Sequence, residues 1–387
     1  MHALPYWRLS GYYFFYFAFN GAFLPFFGLY LLSLGFSAWD IGLLMSMQQA
    51  MRLIGPSLWG WLADSRQRRV PIIQLAALVS LFCFAGFFWL RSFPPMLLAM
   101  AILAFFWSAA LPLVETLTFN HLREASGQYS RIRVWGSIGF ILAVLGTGAL
   151  LDQVRIDTLL WVCLLLLAGI LATATILPDA APSSATANEA GLHAVLRQRR
   201  VQALFAACFA MSAAHGALYV FYSIHLTDHA YNKTAVGLLW TLGVVAEIAL
   251  FMVMPRLLRR YSLRAILLAS YAVAVVRFLL IGWCITILPL ALLAQLMHGL
   301  TFGTYHAASI AAVNQWFPGR AQARGQALYS SLSFGAGGLL GALVSGWIWE
   351  HFGAAWTYSL SSVFALIGFV FILFGVPAQV EAQSGKD

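Results

Sequence analysis

Apolar runs of span length alternate with short polar breaks along the whole chain. The runs cover 9–34, 40–63, 70–90, 96–121, 131–151, 158–177, 202–227, 234–255, 265–285, 289–313, 326–350 and 355–376. About 20 apolar residues in a helix cross the ~30 Å hydrocarbon core of a bilayer, so each run predicts a transmembrane helix. A strand with an open edge would leave its backbone groups unpaired in lipid. The breaks carry the charge, and they carry it unevenly. With the N-terminus inside, seventeen of the 22 Lys and Arg residues fall on the cytoplasmic side, from Arg8 through Arg66, Arg123, Arg197, Arg256 and Arg320 to Lys386. Three, Arg91, Arg155 and Lys233, fall on the other, and Arg52 and Arg277 lie inside spans. This bias predicts a multi-pass protein of a bacterial-type inner (cell) membrane with both termini cytoplasmic.

The segment 178–191, PDAAPSSATANEAG, has no apolar periodicity and reads as a cytoplasmic linker. It divides the chain into a six-helix bundle at 1–177, a linker at 178–199 and a second six-helix bundle at 200–387. The halves resemble one another. At an offset of 195, FNGAFLPFF (19–27) falls on AHGALYVFY (214–222) and IGLL (41–44) on VGLL (236–239). Past the later loops the offset becomes 198, which places Gly127-Gln128 on Gly325-Gln326. A repeat of six spans in one orientation predicts an all-α membrane protein of 12 transmembrane helices in two pseudo-symmetric bundles, with a midplane cavity between them.

Composition narrows the function. Hydrophobic residues make up 61% of the chain and charged residues 9%, whereas a soluble domain carries about 25% charged. Mean hydropathy is +0.83. A soluble enzyme is therefore excluded. The net charge of +9 sits in interfacial clusters and not along one face, so it signals topology and not nucleic-acid binding. Cys83, Cys163, Cys208 and Cys284 all fall within apolar runs and form no metal-ligand spacing. The first apolar run is span-length and reads as retained, not as a cleaved signal. Neither a nucleophile–base constellation nor a sizeable soluble output domain is visible, which argues against an intramembrane enzyme or a sensor.

Ionisable groups within spans cost roughly 2.5–3.5 kcal/mol each on insertion and are expected to face a cavity or a partner. The candidates are Arg52, Glu115, Glu247, Arg277 and the histidines His215, His225, His298 and His306, with Arg133 where the fifth span begins. Arg133, Ser137 and Phe140 fall at i, i+4 and i+7, on one helix face. A guanidinium beside a ring suits a substrate bearing both a carboxylate and an aromatic group. On the first span Tyr16, Asn20, Phe23 and Phe27 share a face, and its repeat mate carries His215, Tyr219 and Tyr222. Glu115 with Arg133 reads either as a substrate contact or as a structural ion pair. Glu247 reads as a proton carrier or as a static partner of Arg277 or Arg52, and Arg52 as a substrate anchor or a packing pair. His298 and His306 serve either as hydrogen-bonding groups or as titrating ones. His225 and His229, at i and i+4, lack an evident third metal ligand.

Several segments carry a family resemblance. LVETLTFNHLREASGQYSRIRVWG resembles the span-four to span-five region of the lactose permease family, with Glu115 and Arg133 separated by the same 18 residues. GVVAEIAL, VVRFLLIG and QLMHGL resemble that family's charged coupling segments. GWLADSRQRR (60–69) resembles the cytoplasmic loop motif of the major facilitator superfamily, with Gln67 where glycine is usual. LWTLGVVAEIALF and YSRIRVWGSIGF resemble the phenylpropionate permease branch of that superfamily.

The resemblance implies a secondary active transporter working by alternating access: a permease with no cofactor, no metal and no catalytic residue, driven by a proton gradient. Its implied partners are a small-molecule substrate, protons and the lipid bilayer, with no nucleic acid, and it would act as a monomer. It implies substrate binding by Glu115, Arg133, Ser137, Phe140, Asn20, Phe23, His215 and Tyr219, proton coupling by Glu247, Arg277 and His298, and a gating loop with Gly60, Asp64 and Arg68. Thr301 stands where the lactose permease family has a proton-carrying glutamate, which leaves Glu247 or Glu115 to carry the proton. The favoured substrate is a phenylpropionate-like aromatic carboxylate. Sugar or nucleoside symport and drug or metabolite efflux are the alternatives.

Overall fold

A computed structural model describes residues 4–66, 68–122, 128–180, 192–317 and 321–378. Most of the expected linker, together with Gln67, Arg123, Gly127, Arg320 and Lys386, lies outside the described residues. The chain is helical and no strand occurs among the described residues. Helices α1 (Tyr6–Ser33), α2 (Ala38–Arg66), α3 (Val70–Ala85), α4 (Phe93–Leu122), α5 (Tyr129–Leu151) and α6 (Thr158–Thr175) supply the first six spans. After a short α7 (Leu192–Leu196), the seventh span is α8 (Arg199–Ala214) followed by α9 (Gly216–Asp228). Then come α10 (Lys233–Arg260) and α11 (Leu263–Cys284). The tenth span is α12 (Leu288–His298), a π-helical turn at Gly299–Thr304, and α13 (Tyr305–Trp316). The eleventh is α14 (Ala321–Ser330), a second π-helical turn at Ser331–Gly337, and α15 (Gly338–Phe352), and α16 (Ala354–Gly375) is the twelfth.

Ten of these spans are long and apolar enough to cross a membrane by length and composition. The other two are α2, diluted by Asp40, Gln48, Gln49 and Arg52, and the tenth span, diluted by Gln295, His298 and His306. Several helices outrun their apolar cores. α10 continues to Arg259 and Arg260, whose charges favour the negative end of the helix dipole once the chain has left hydrocarbon. The seventh span breaks at His215, and the π turns interrupt the tenth and eleventh. None of these breaks alters an apolar run, so hydropathy does not register them.

Two compact units are distinguishable. The first is Met1–Ala185 with Leu218–Thr241 and Ala342–Glu350, and the second is Thr186–Ala217, Leu242–Gly341 and His351–Asp387. In the first, α1 packs on α5 and α6, α2 on α4, and α3 on α4 and α6. In the second, α16 packs on α11 and α8, and α8 on the π turn of the eleventh span. Lipid supplies little hydrophobic drive between helices, so close backbone approach at small residues does the packing. A methyl on Gly139 of α5 would collide with the Phe14 carbonyl oxygen of α1, and one on Gly337 with that of Phe209 in α8. The two collisions are repeat mates, Phe209 being 195 residues beyond Phe14 and Gly337 198 beyond Gly139. Spans one and seven are also the most enclosed, with 72% and 83% of their apolar windows buried. The sequence repeat is thus a repeat of packing.

The Gly139 crossing leaves no room for a side chain. Gly139→Leu is expected to destabilise the protein by on the order of 2 kcal/mol through overpacking. Gly146→Leu, a position with open space around its Cα, should leave the thermal midpoint in detergent unchanged. Equal midpoints for the two variants would contradict this account of the α1–α5 contact.

Candidate functional site

The first unit holds one polar cluster. Arg133, on the first turns of α5, is half-buried, and its guanidinium carbon lies 3.8 Å above the Phe17 ring and 6.0 Å from the Tyr13 ring. Glu115 of α4 accepts a hydrogen bond from the Tyr129 hydroxyl at 3.2 Å. Tyr129 in turn stacks on Phe119, with centroids 4.7 Å apart. The Tyr13 hydroxyl pairs with Thr118 Oγ1 at 3.3 Å, and Tyr16 stacks on Trp107 at 4.5 Å. Arg133 makes no ion pair with a carboxylate among the described residues. A guanidinium within a span is costly unless a partner or a polar cavity meets it.

The ring beside Arg133 is therefore Phe17 of α1, and not Phe140 of its own helix. Positions i and i+7 on a helix are about 10 Å apart along the axis, too far for the two side chains to meet. The Gly139 crossing instead brings the aromatic run of α1 onto α5. Tyr13, Phe17 and Tyr129 are the residues that sequence reasoning missed, and only the place of Tyr129 two residues before Arg131 could have marked it. Ser137 and Phe140 are half-buried further along α5. Asn20 donates from Nδ2 to the Tyr16 carbonyl of its own helix at 2.9 Å. Phe23 is fully buried in a stack with Phe19 and Phe27. Arg52 is exposed on α2 and forms no ion pair among the described residues.

The second unit holds another. His298 Nε2 lies 3.8 Å from Glu247 Oε2. Arg277 is wholly buried. Its Nε donates to the Ala294 carbonyl at 2.8 Å and its Nη1 to Thr301 Oγ1 at 3.0 Å. The hydroxyl at the position of the family's glutamate thus serves as an acceptor for this arginine. Gly299 lets α10 close on the tenth span, since a methyl there would meet the Ala246 carbonyl oxygen at 2.6 Å. That approach holds Glu247 beside His298. The slower winding of the π turn stacks His298, Phe302 and His306 in one column, with centroids 5.6 and 5.7 Å apart. His306 Nδ1 is 2.8 Å from the Tyr329 hydroxyl. His215, at the break of the seventh span, has its ring 6.1 Å from that of His298. Tyr219, on α9 and in the first unit, stacks with Trp240 at 6.4 Å.

In the loop after α2, the partner of Asp64 is Arg69 at 3.1 Å, while Arg68 points into solvent. The Arg69 backbone N–H also reaches Asp179 Oδ1 at 3.5 Å, tying this loop to the exit of α6. Gly60 has open space around it. Adjacent arginines are indistinguishable in sequence; the one at the N-terminus of α3 is the one that turns inward. His225 and His229 lie with rings 4.7 Å apart, and no group of three metal-ligating side chains occurs among the described residues.

Helical spans with ionisable groups buried among them fit a membrane transporter. The chain belongs to the MFS_1 like family, which it matches over residues 6–360. It is 31% identical over 353 residues to an Escherichia coli K12 protein described as a probable 3-phenylpropionic acid transporter, covering 90% of this chain and 92% of that one. It is 27% identical over 386 residues to the maltose permease of Geobacillus stearothermophilus, covering 97% and 95%. The crystal structure of the nucleoside transporter NupG shares its fold, with a TM-score of 0.83 at 18% identity over 95% of this chain and 98% of that one. The chain is accordingly a major facilitator-type membrane transporter and not an enzyme.

Arg277 is the most demanding of the buried groups. Arg277→Ala is expected to lower the thermal midpoint in detergent most. Thr301→Val, which leaves one guanidinium N–H unpaired, should cost about 1–3 kcal/mol. A midpoint for Thr301→Val equal to that of the parent would show that the Arg277–Thr301 bond contributes nothing.

Proposed function

We propose that the protein is a proton-coupled symporter of a small aromatic carboxylate of the phenylpropionate type, acting as a monomer in the inner membrane with both termini cytoplasmic. The observation that carries the reading is Arg133, held over Phe17 at 3.8 Å with no carboxylate paired to it among the described residues. A guanidinium lying over a ring presents its N–H edge away from that ring, where it can grip a carboxylate bidentately. Phe17 and Tyr13 supply aromatic surface beside it, and Ser137 a further hydroxyl on the same helix. The name of the 31% identical relative supports the same substrate class.

Glu247 is assigned the proton. It sits 3.8 Å from His298, in the bundle that also buries Arg277. Loading a proton neutralises the carboxylate, and releasing it leaves a negative charge close to an imidazole. Glu115, hydrogen-bonded by Tyr129, is assigned to substrate and not to the proton. A polyhydroxylated substrate is the second reading, favoured by the same carboxylate. Glu115 could accept hydroxyl hydrogen bonds, and the maltose permease relative at 27% identity lends that support.

Titration calorimetry of purified protein with 3-phenylpropionate tests the assignment. Arg133→Ala is expected to weaken binding at least ~tenfold, a loss of about 1.4 kcal/mol. Arg133→Lys should also weaken it, because a point charge lacks the planar fork. Unchanged affinity in Arg133→Ala would relocate the site. Tighter binding of maltose or a nucleoside than of the aromatic acid would favour the second reading.

A further inference from the structure

Two carboxylates, one just past α5 and one near the end of α15, cap the N-termini of helices from the other repeat, and both contacts lie within the first compact unit. Asp152 follows the last residue of α5. Its Oδ1 accepts from the Lys233 backbone N–H at 2.8 Å and its Oδ2 from that of Thr234 at 2.9 Å. The Thr234 hydroxyl donates to Oδ2 as well, at 2.6 Å. The next amide, Ala235, is satisfied locally by Asn232 Oδ1 at 2.8 Å. Glu350, near the end of α15, accepts from the Trp39 N–H at the start of α2, at 2.7 Å. There too the next amide, Asp40, is satisfied locally, by Ser37 Oγ at 3.2 Å.

These are two copies of one device. Ser37, Trp39 and Asp40 lie 195 residues before Asn232, Thr234 and Ala235, and Asp152 lies 198 before Glu350. In each copy the local residue caps one amide and the carboxylate from the other repeat caps its neighbour. The backbones beneath match as well. A methyl on Gly42 of α2 would meet the Gly346 Cα at 2.9 Å, and one on Gly148 of α5 would meet the Lys233 carbonyl oxygen at 2.5 Å. Gly148 and Gly346 are again 198 residues apart. An anion at a helix N-terminus satisfies orphan N–H groups and meets the positive end of the dipole. Unlike a local cap, each of these is lost when the helices separate.

We propose that Asp152 and Glu350 are paired latches, each holding one repeat to the other where α5 meets α10 and α15 meets α2, so that the closed form of that end is favoured by two symmetry-related carboxylate caps. Both carboxylates are exposed, so water replaces the lost contacts on opening and the latch biases the equilibrium without locking it. Partial burial pulls the Asp152 pKa upward, but the Thr234 hydroxyl and the Thr234 and Lys233 amides pull it down further, and the carboxyl titrates below the ordinary carboxylate range. The latch on α10 is therefore charged at neutral pH.

The inference rests on the reading that the repeats part and rejoin at this end during transport. Spin labels at Val154→Cys and His229→Cys, in full-length protein with the four native cysteines replaced by serine, report the separation of the α5 and α9 ends in lipid nanodiscs. The parent should give a distribution dominated by the short distance with a minor long component. Asp152→Ala with Glu350→Ala should raise the ratio of long to short distances roughly tenfold. Asp157→Asn, a change to an exposed carboxylate paired with Arg155, should leave the distribution as in the parent. If the double variant does not fold, Asp152→Asn and Glu350→Gln, which keep shape and an acceptor but remove charge, carry the test with smaller shifts. A distribution superimposable on the parent's in the folded variants overturns the latch. The measurement needs no substrate, so its failure leaves the aromatic-acid reading standing, and failure of that reading leaves these distances unaffected.

Discussion

The cost of an ionisable group inside hydrocarbon governs this structure. Lipid offers no hydrogen bonds, so each buried charge must find its partners within the protein or among what the protein carries. Arg277 donates to Ala294 and Thr301 within its own unit. Glu247 and His298 stand together, held by the close approach at Gly299. Arg133 has only aromatic rings beneath it.

The repeat supplies the geometry on which these groups are mounted. The same glycine-to-carbonyl contact joins α5 to α1 and the eleventh span to α8. The repeats diverge where chemistry is needed. The first places an arginine, a glutamate and tyrosines around α5, and the second an arginine, a glutamate and histidines around its tenth span.

Much of this was legible in the sequence. Span number and the repeat follow from hydropathy and an offset of 195 that becomes 198 past the later loops, because lipid imposes length and polarity on every segment. Glu115, Arg133, Glu247, Arg277 and His298 stood out because charge is scarce within spans. What could not be read were the partners across helices. Phe17 is one of 30 phenylalanines, and only the Gly139 crossing selects it. Arg69 was hidden beside Arg68. The π turn that stacks His298 on Phe302 leaves no mark in composition, since the same residues would make an ordinary α-helix.

The direct test of the central claim, a proton-driven carrier of an aromatic acid, is uptake of radiolabelled 3-phenylpropionate into proteoliposomes with and without an inward proton gradient. The account requires accumulation above equilibrium only when the gradient is present, and its collapse on adding a protonophore. Accumulation that is the same with no gradient, or none in either condition, would contradict it.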